Sequence, residues 1–507
     1  MRGIERVREW VRRLWRPGDS LATRAVQGGV WVFGIRLATR VARFTRTIVL
    51  ARLLSPNDFG LMGLALLAVS TLQSLTSTGF GSALVQKEED IQSDLDTTWT
   101  FTALRGLLLA AVIVLCAPFA SKFFEATAAT PVLRVVAISV LLTGLENVGV
   151  VYFQKELAFG KHFVFEVAGV AADFVVAVAA AVLLRSVWAL VMGLLAERLV
   201  RLFVSYLIHP YRPRIRIDWS RARRLFSYGK WLSLSYVLIF VGAHGDDAVV
   251  GKVIGTAALG IYQLSYRLAQ LAVSETTYVI ERAAFPTYAK LQGESDRLRS
   301  AYFRIAGVTA ALSVPLALAI LVLAGDFVKV FLGDQWLTMI PVVRVLSVAA
   351  LVKSIVSTGS PLFKGVGRPQ FEFQMQLARA GTVAALVVPF ALKWGLVGGA
   401  FAVLLSACAM FAVWYARIRS QLSPSASEWV GPLGPPAVAS TVMICAMWAF
   451  GRVSRHLISQ APAAQAIGFL ATASVGLVAY VTVFCLVQPR LSEYRLVQEV
   501  ARSLGGR

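Results

Sequence analysis

Charge is scarce in this sequence. Only 15% of its 507 residues are Asp, Glu, Lys or Arg, against 57% hydrophobic. Acids are the scarcer sign, 28 against 50 Lys and Arg. A soluble chain of this length needs polar surface for several domains, and too little is present. Cysteine is nearly missing: Cys116, Cys408, Cys445 and Cys485 each fall singly inside an apolar run. That pattern excludes a disulfide framework or zinc site and leaves small packing hydrophobes. Enzyme signatures are missing too. There is no P-loop, no HExxH or GxSxG, and no Cys/His cluster with metal-ligand spacing. The chain is therefore expected neither to burn ATP nor to act as an enzyme, and to need no cofactor. No long polar loop exists; the longest connections run to about twenty residues, so any chemistry must take place inside a helix bundle or at its surface.

What is present instead is a series of apolar runs of bilayer-spanning length, such as Leu104–Ala120, whose one charge is Arg105. Fourteen candidate helices read at 22–50, 58–85, 99–124, 131–155, 162–184, 187–208, 230–253, 258–284, 303–324, 339–363, 371–392, 396–417, 435–451 and 464–487. The expected class is an all-α polytopic membrane protein. Residues 1–20 lack an apolar core segment and are basic throughout, with Val7, Trp10, Val11 and Leu14 at helical spacing. They read as an amphipathic segment on an anionic membrane face rather than a cleaved signal. The net charge of +22 sits in loops, which argues against a nucleic-acid partner. An even span count puts both termini on one side. The Arg-rich start, His209–Arg224, Lys290–Arg299, Lys364 with Arg368, and Arg417 with Arg419 make that side cytoplasmic. The bacterial inner membrane is the expected location.

The chain repeats itself. Ala51–Ala65 aligns with Gly251–Ser265, matching Gly60 to Gly260; Ala103–Phe124 aligns with Ala311–Leu332; Pro131–Arg134 aligns with Pro341–Arg344. The offsets are 200, 208 and 210 residues. Six helices separate the copies, so the repeats are parallel. The expected organisation is an N-terminal segment 1–20, a first lobe 21–208 (helices 1–6), a basic linker 209–229, a second lobe 230–418 (helices 7–12), helices 13–14 at 419–488 and a tail 489–507. Two six-helix repeats facing a central cavity are the architecture this implies.

Charges inside the spans stand out, because each costs about 2.5–3.5 kcal/mol at mid-bilayer. Arg36, Arg40 and Arg43 share one face of helix 1 at i, i+4, i+7, with Arg46 a quarter-turn away. Two readings stand: a grip on an anionic headgroup such as a diphosphate, which suits a planar guanidinium, or snorkelling and pairing with neighbouring acids. Arg267, Lys353 and Arg379 supply cations in the second lobe. Among the acids, Glu166 and Asp173 share a helix face and read either as carriers of a coupling proton or Na+, or as counter-charges for helix 1. Glu197 and Arg201 suggest a local i, i+4 pair. Glu146, Asp247 and His244 complete the intramembrane polar set. The 200-residue offset makes Arg46 and Asp246 equivalent positions, which suggests that they approach one another as a gate.

Leu50–Leu67, Gly79–Trp99 and Asp246–Leu271 resemble the polysaccharide transporter family of the MOP flippase superfamily, in particular exporters of the Wzx and colanic-acid type. The similarity covers roughly residues 20 to 420. It implies a flippase for an undecaprenyl-diphosphate-linked oligosaccharide, working by alternating access, with membrane lipids, glycosyltransferases and a polysaccharide polymerase as partners. It also maps family positions onto Asp246 and Arg267, while Asp247 departs from the family pattern. The rivals are a cation-coupled multidrug extruder, whose substrate path is more apolar, and a membrane polymerase or ligase, which needs a large periplasmic loop.

Overall fold

A computed structural model of the chain describes residues 21–76, 92–155, 159–216, 242, 244–457 and 461–487. The expected amphipathic segment 1–20, the resembling stretch through 77–91, most of the linker and the tail lie outside the described residues. All described secondary structure is helical. In chain order the longer helices are α1 (Leu21–Leu53), α2 (Pro56–Leu75), α3 (Gln92–Phe123), α4 (Ala129–Leu145), α5 (Phe159–Leu184) and α6 (Trp188–Ile208), with one short turn of helix at Val151–Lys155 between α4 and α5. They continue with α7 (244–253), α8 (Thr256–Lys290), α9 (Ser295–Phe327), α10 (Met339–Val356, prolonged by Gly359–Gly365), α11 and α12 within Gln370–Leu422, α13 (Ala426–Leu457) and α14 (Pro462–Val487). Gly395, at φ +60°, separates α11 from α12, a left-handed step that glycine takes without a Cβ penalty.

Eight of the described helices are long and apolar enough to cross a membrane, with Gln370–Leu422 counted once. α1 and α6 are long enough but not apolar enough for that set. The outward faces are apolar: Leu115, Phe119, Leu183, Leu207 and Leu392 are each at least 70% exposed. Large hydrophobes left outside on helices of bilayer-spanning length are the pattern of a chain solvated by lipid. The protein is a multi-pass membrane protein.

Contacts divide the chain into two compact units, Met1–Gly260 and Ile261–Arg507. The division falls after α7, not within the expected linker 209–229, because α7 and the first turn of α8 pack on the first unit. Lys252 bonds Glu125 at 2.6 Å, Thr256 donates to Asn57 Oδ1 at 2.6 Å, and Leu259 is fully buried in the first unit's core. Gly60 and Gly260, equivalent in the repeat, touch backbone to backbone. A Cβ on Gly60 would lie 1.7 Å from the Thr256 carbonyl oxygen, and one on Gly260 would lie 2.1 Å from that of Pro56. The Ser-Pro-x-Asp motif beside them is a helix start. Ser55 caps α2, the Ser55 N–H donates to the Asp58 carboxylate, and Pro56 takes the first helical position, where a missing N–H costs nothing.

Within the first unit α1, α2, α3, α4, α5 and α6 share one core around Leu50, Leu64, Val136 and Val191. The described part of the linker, 209–216, runs extended against α3. Asn147 Nδ2 donates to the Tyr211 carbonyl at 2.8 Å, the Tyr211 hydroxyl donates to Asp96, and the Arg214 N–H donates to the same carboxylate. In the second unit α9, α10, α12 and α13 close on buried aromatics. Tyr302 bonds Thr358 at 3.0 Å, and Trp414 packs against Trp429. Tyr480 of α14 donates to the Ala311 carbonyl at 2.6 Å, tying the last helix to α9. The repeat is visible in local structure too: Pro131 and Pro341 each stand third in their helices, α4 and α10.

The glycine contact generates a test. Gly60→Ala forces backbone apart and is expected to cost about 1–3 kcal/mol, read as a lower unfolding temperature in detergent. Gly381→Ala, on α11 with nothing within 4 Å of the new methyl, is expected to be neutral or to stabilise by about 0.5–1 kcal/mol.

Candidate functional site

In the first unit the charged side chains of three helices converge. α5 presents Gly169, Asp173, Ala177 and Ala181 at successive i+4 positions, and α6 presents Ala189, Gly193, Glu197 and Arg201 in the same way. The helices run antiparallel and α1 packs along α5. Each glycine makes room for the opposite helix's charges. A Cβ on Gly193 would stand 2.5 Å from the Asp173 carboxylate, and one on Gly169 would stand 2.7 Å from Cγ of Arg201.

Into this seam α1 inserts two guanidiniums. Arg46 pairs with Asp173 at 2.7 Å, with both side chains largely buried, and Arg43, half exposed, pairs with Glu197 at 3.0 Å. Arg201 bridges Glu197 at 3.6 Å and also pairs with Glu166. Its guanidinium stacks on the Phe165 ring, 4.6 Å from the centroid, which adds a cation–π attraction. Three cations meet three carboxylates, so the network is neutral as a whole. It lies near the middle of α5 and α6, where an unpaired charge is dearest.

The structure therefore places Arg43, Arg46, Glu166 and Asp173 together, in mutual pairs. Glu197 and Arg201 join the chain of pairs and are not confined to a local i, i+4 contact. Arg46 is held by Asp173, so in this conformation it is not the partner of Asp246, and the suggested Arg46–Asp246 gate is not formed. Asp246 and Asp247 are buried on α7, and His244 Nδ1 stands 3.3 Å from Asp247. Arg36 and Arg40 lie half-buried further along α1. Among the described residues no group of three His, Cys, Asp or Glu converges to hold a metal ion.

In the second unit Arg267 is exposed on α8 and Arg379 half-buried on α11. Lys353, at the centre of the apolar stretch Met339–Gly365, donates to the Tyr266 hydroxyl at 2.7 Å. Tyr266 and the two glycines, Gly169 and Gly193, were not among the residues singled out from sequence. The available signal was a small residue one turn from an intramembrane charge on the same face.

The comparisons with known proteins agree with this architecture. The model of the polysaccharide biosynthesis protein family matches residues 49–341, more than half of the chain. The lipopolysaccharide biosynthesis protein WzxC of Escherichia coli is 22% identical over 441 residues, 86% of this chain and 89% of its own length. The succinoglycan biosynthesis transport protein ExoT of Rhizobium meliloti is 26% identical over 368 residues, 72% of this chain and 74% of its own. In fold the chain is similar to the lipid II flippase MurJ in an inward closed conformation, with a TM-score of 0.70 and 12% identity, covering 92% of this chain and 99% of that one. It is also similar to an inward-facing multidrug resistance transporter of the MATE family, with a TM-score of 0.59 and 15% identity over 76% of this chain and 96% of that one.

Removing one side of a buried pair strands the other. Arg46→Ala and Asp173→Ala are each expected to cost about 3–5 kcal/mol, measured by unfolding in detergent. The double variant is expected to be more stable than either single one. Additive losses would mean that the two charges are not coupled.

Proposed function

The chain belongs to the polysaccharide biosynthesis protein family, and on that premise we propose that it is a flippase for a lipid-linked oligosaccharide. In this reading it moves an undecaprenyl-diphosphate-linked repeat unit from the cytoplasmic to the periplasmic leaflet of a bacterial inner membrane by alternating access, for exopolysaccharide or lipopolysaccharide synthesis. The observation that carries the reading is the family match, which spans both copies of the glycine-bearing repeat motif, at Gly60 and Gly260. The fold alone does not choose between a glycolipid and a drug, since a lipid II flippase and a multidrug transporter both share it.

A sugar chain and a diphosphate are each insoluble in hydrocarbon, so such a protein needs a polar route through the bilayer and cations to meet the phosphates. Arg36, Arg40, Arg267, Lys353 and Arg379 are assigned that role. The neutral network of Arg43, Arg46, Arg201, Glu166, Asp173 and Glu197 is assigned to gating and coupling instead. Its pairs exchange partners, with a proton or Na+ compensating any carboxylate that is released. The basic loops support a cytoplasmic side for both termini in this reading. The glycosyltransferases and polymerase of the same pathway act before and after the step, and the chain itself makes and breaks no bonds.

The test is reconstitution. Proteoliposomes holding a fluorescent undecaprenyl-diphosphate oligosaccharide are expected to show protein-dependent movement of the label to the opposite leaflet, read by quenching from one side. Background rates for that lipid, with ion-driven movement of a lipophilic cationic dye in the same vesicles, would favour the multidrug reading.

A further inference from the structure

We propose that the pocket between α8, α10 and α12 around Lys353 is an oxyanion subsite of the second unit; the proposal rests on the flippase reading. Lys353 stands mid-way along an apolar stretch of bilayer-spanning length. There an ammonium needs a counter-charge or a polar ligand. Every cation of the first unit's network faces a carboxylate. Among the described residues Lys353 faces none: its bonded partner is the Tyr266 phenol, at 2.7 Å, with the ammonium 5.1 Å from the ring centroid.

The pocket is small and partly open, with room for about one water-sized group. Its polar lining is Lys353, Tyr266 and Gln270, and the rest is apolar, with Leu346, Ala349 and Ala350 among it. Such a space admits a single oxygen of a phosphoryl or carboxylate group rather than a glycan. The donor set suits an anion. The ammonium donates one hydrogen to the phenolic oxygen and keeps two. Because that oxygen accepts from Lys353, its own O–H is left to donate outward. The Gln270 amide adds two more N–H groups. Ammonium, phenol and amide donors, with no carboxylate among the described lining residues, make a receptor for an oxyanion, and charge-assisted bonds of this kind are the strong ones. The oxyanion has two sources in the proposed substrate, the phosphates of the lipid carrier and an acidic group on the glycan.

The test uses the purified full-length protein with three probes: undecaprenyl diphosphate, an alkyl glucuronide and neutral undecaprenol. Affinities are compared for wild type, Lys353→Met, Lys353→Arg and Tyr266→Phe. Lys353→Met is expected to weaken at least one anionic probe by at least about tenfold and to leave undecaprenol unchanged. Lys353→Arg is expected to retain most of the binding, and Tyr266→Phe to fall between. Loss confined to the diphosphate assigns the subsite to the carrier, and loss confined to the glucuronide assigns it to the sugar. The unfolding temperature of Lys353→Met is expected to hold or rise, because a costly charge leaves the membrane; a purely structural lysine would lower it. Equal binding of both anions by wild type and Lys353→Met would overturn the subsite, even where the wild type flips its glycolipid. Lys353-dependent binding without any flipping would leave the subsite standing and reject the flippase reading.

Discussion

A guanidinium cannot rest unpaired in the middle of a lipid bilayer, and the first unit is organised around that constraint. Arg46 and Arg43 on α1 and Arg201 on α6 bring three positive charges to mid-membrane depth. Asp173 and Glu166 on α5 and Glu197 on α6 answer them one for one. The helix packing follows from those pairs. α5 and α6 approach closely along small residues, and Gly169 and Gly193 leave the volume that the charged side chains fill. α1, the most charged of the three, is docked on α5 through the side chains that would otherwise exclude it from the bilayer. Buried ion pairs of this kind add little net stability over apolar packing, but breaking one partner out is costly. That asymmetry suits an element which must sit in defined states and exchange between them.

The second constraint is steric. The turn from α1 to α2 and the turn from α7 to α8 carry the two copies of one motif, and they meet at glycines equivalent in the repeat. The contact has no room for a methyl group on either side. Around it the Asn57–Thr256 and Glu125–Lys252 bonds are exposed and polar, the kind of contact that releases at little cost. A tight yet polar and small-residue contact separates more readily than an interdigitated apolar one. It also explains why the first compact unit ends at Gly260, beyond the linker.

Much of the helical layout was legible in the sequence, because hydropathy and glycine or proline punctuation are local. The break expected between 392 and 396 falls at Gly395, and Pro131 and Pro341 sit at matching helix starts. The charged positions were equally legible, as any polar residue in an apolar run announces itself. Their partners were not. Whether Arg46 reaches Asp173 or Asp246 depends on which helix lies alongside α1, and helical spacing carries no record of that. Glu197 and Arg201 looked like a closed local pair because i, i+4 geometry is the one contact a sequence displays; the structure extends the pair to Arg43 and Glu166. Tyr266 was not legible, because its contact depends on Lys353 from a helix distant in sequence.

Charge accounting thus sets the cations of the first unit's network, each neutralised by the protein's own acids, apart from Lys353, whose bonded partner among the described residues is a phenol. The central claim is that this network acts through its own acids and not by touching substrate. The most direct measurement is lipid-linked oligosaccharide flipping by the inverted pair, Arg46→Asp combined with Asp173→Arg, in proteoliposomes, beside each single reversal. If the pair's mutual attraction is what matters, the inverted protein folds and flips while the single reversals fail to accumulate. An inverted protein that is folded, as stable as the parent and inactive would contradict the claim and make Arg46 a substrate contact.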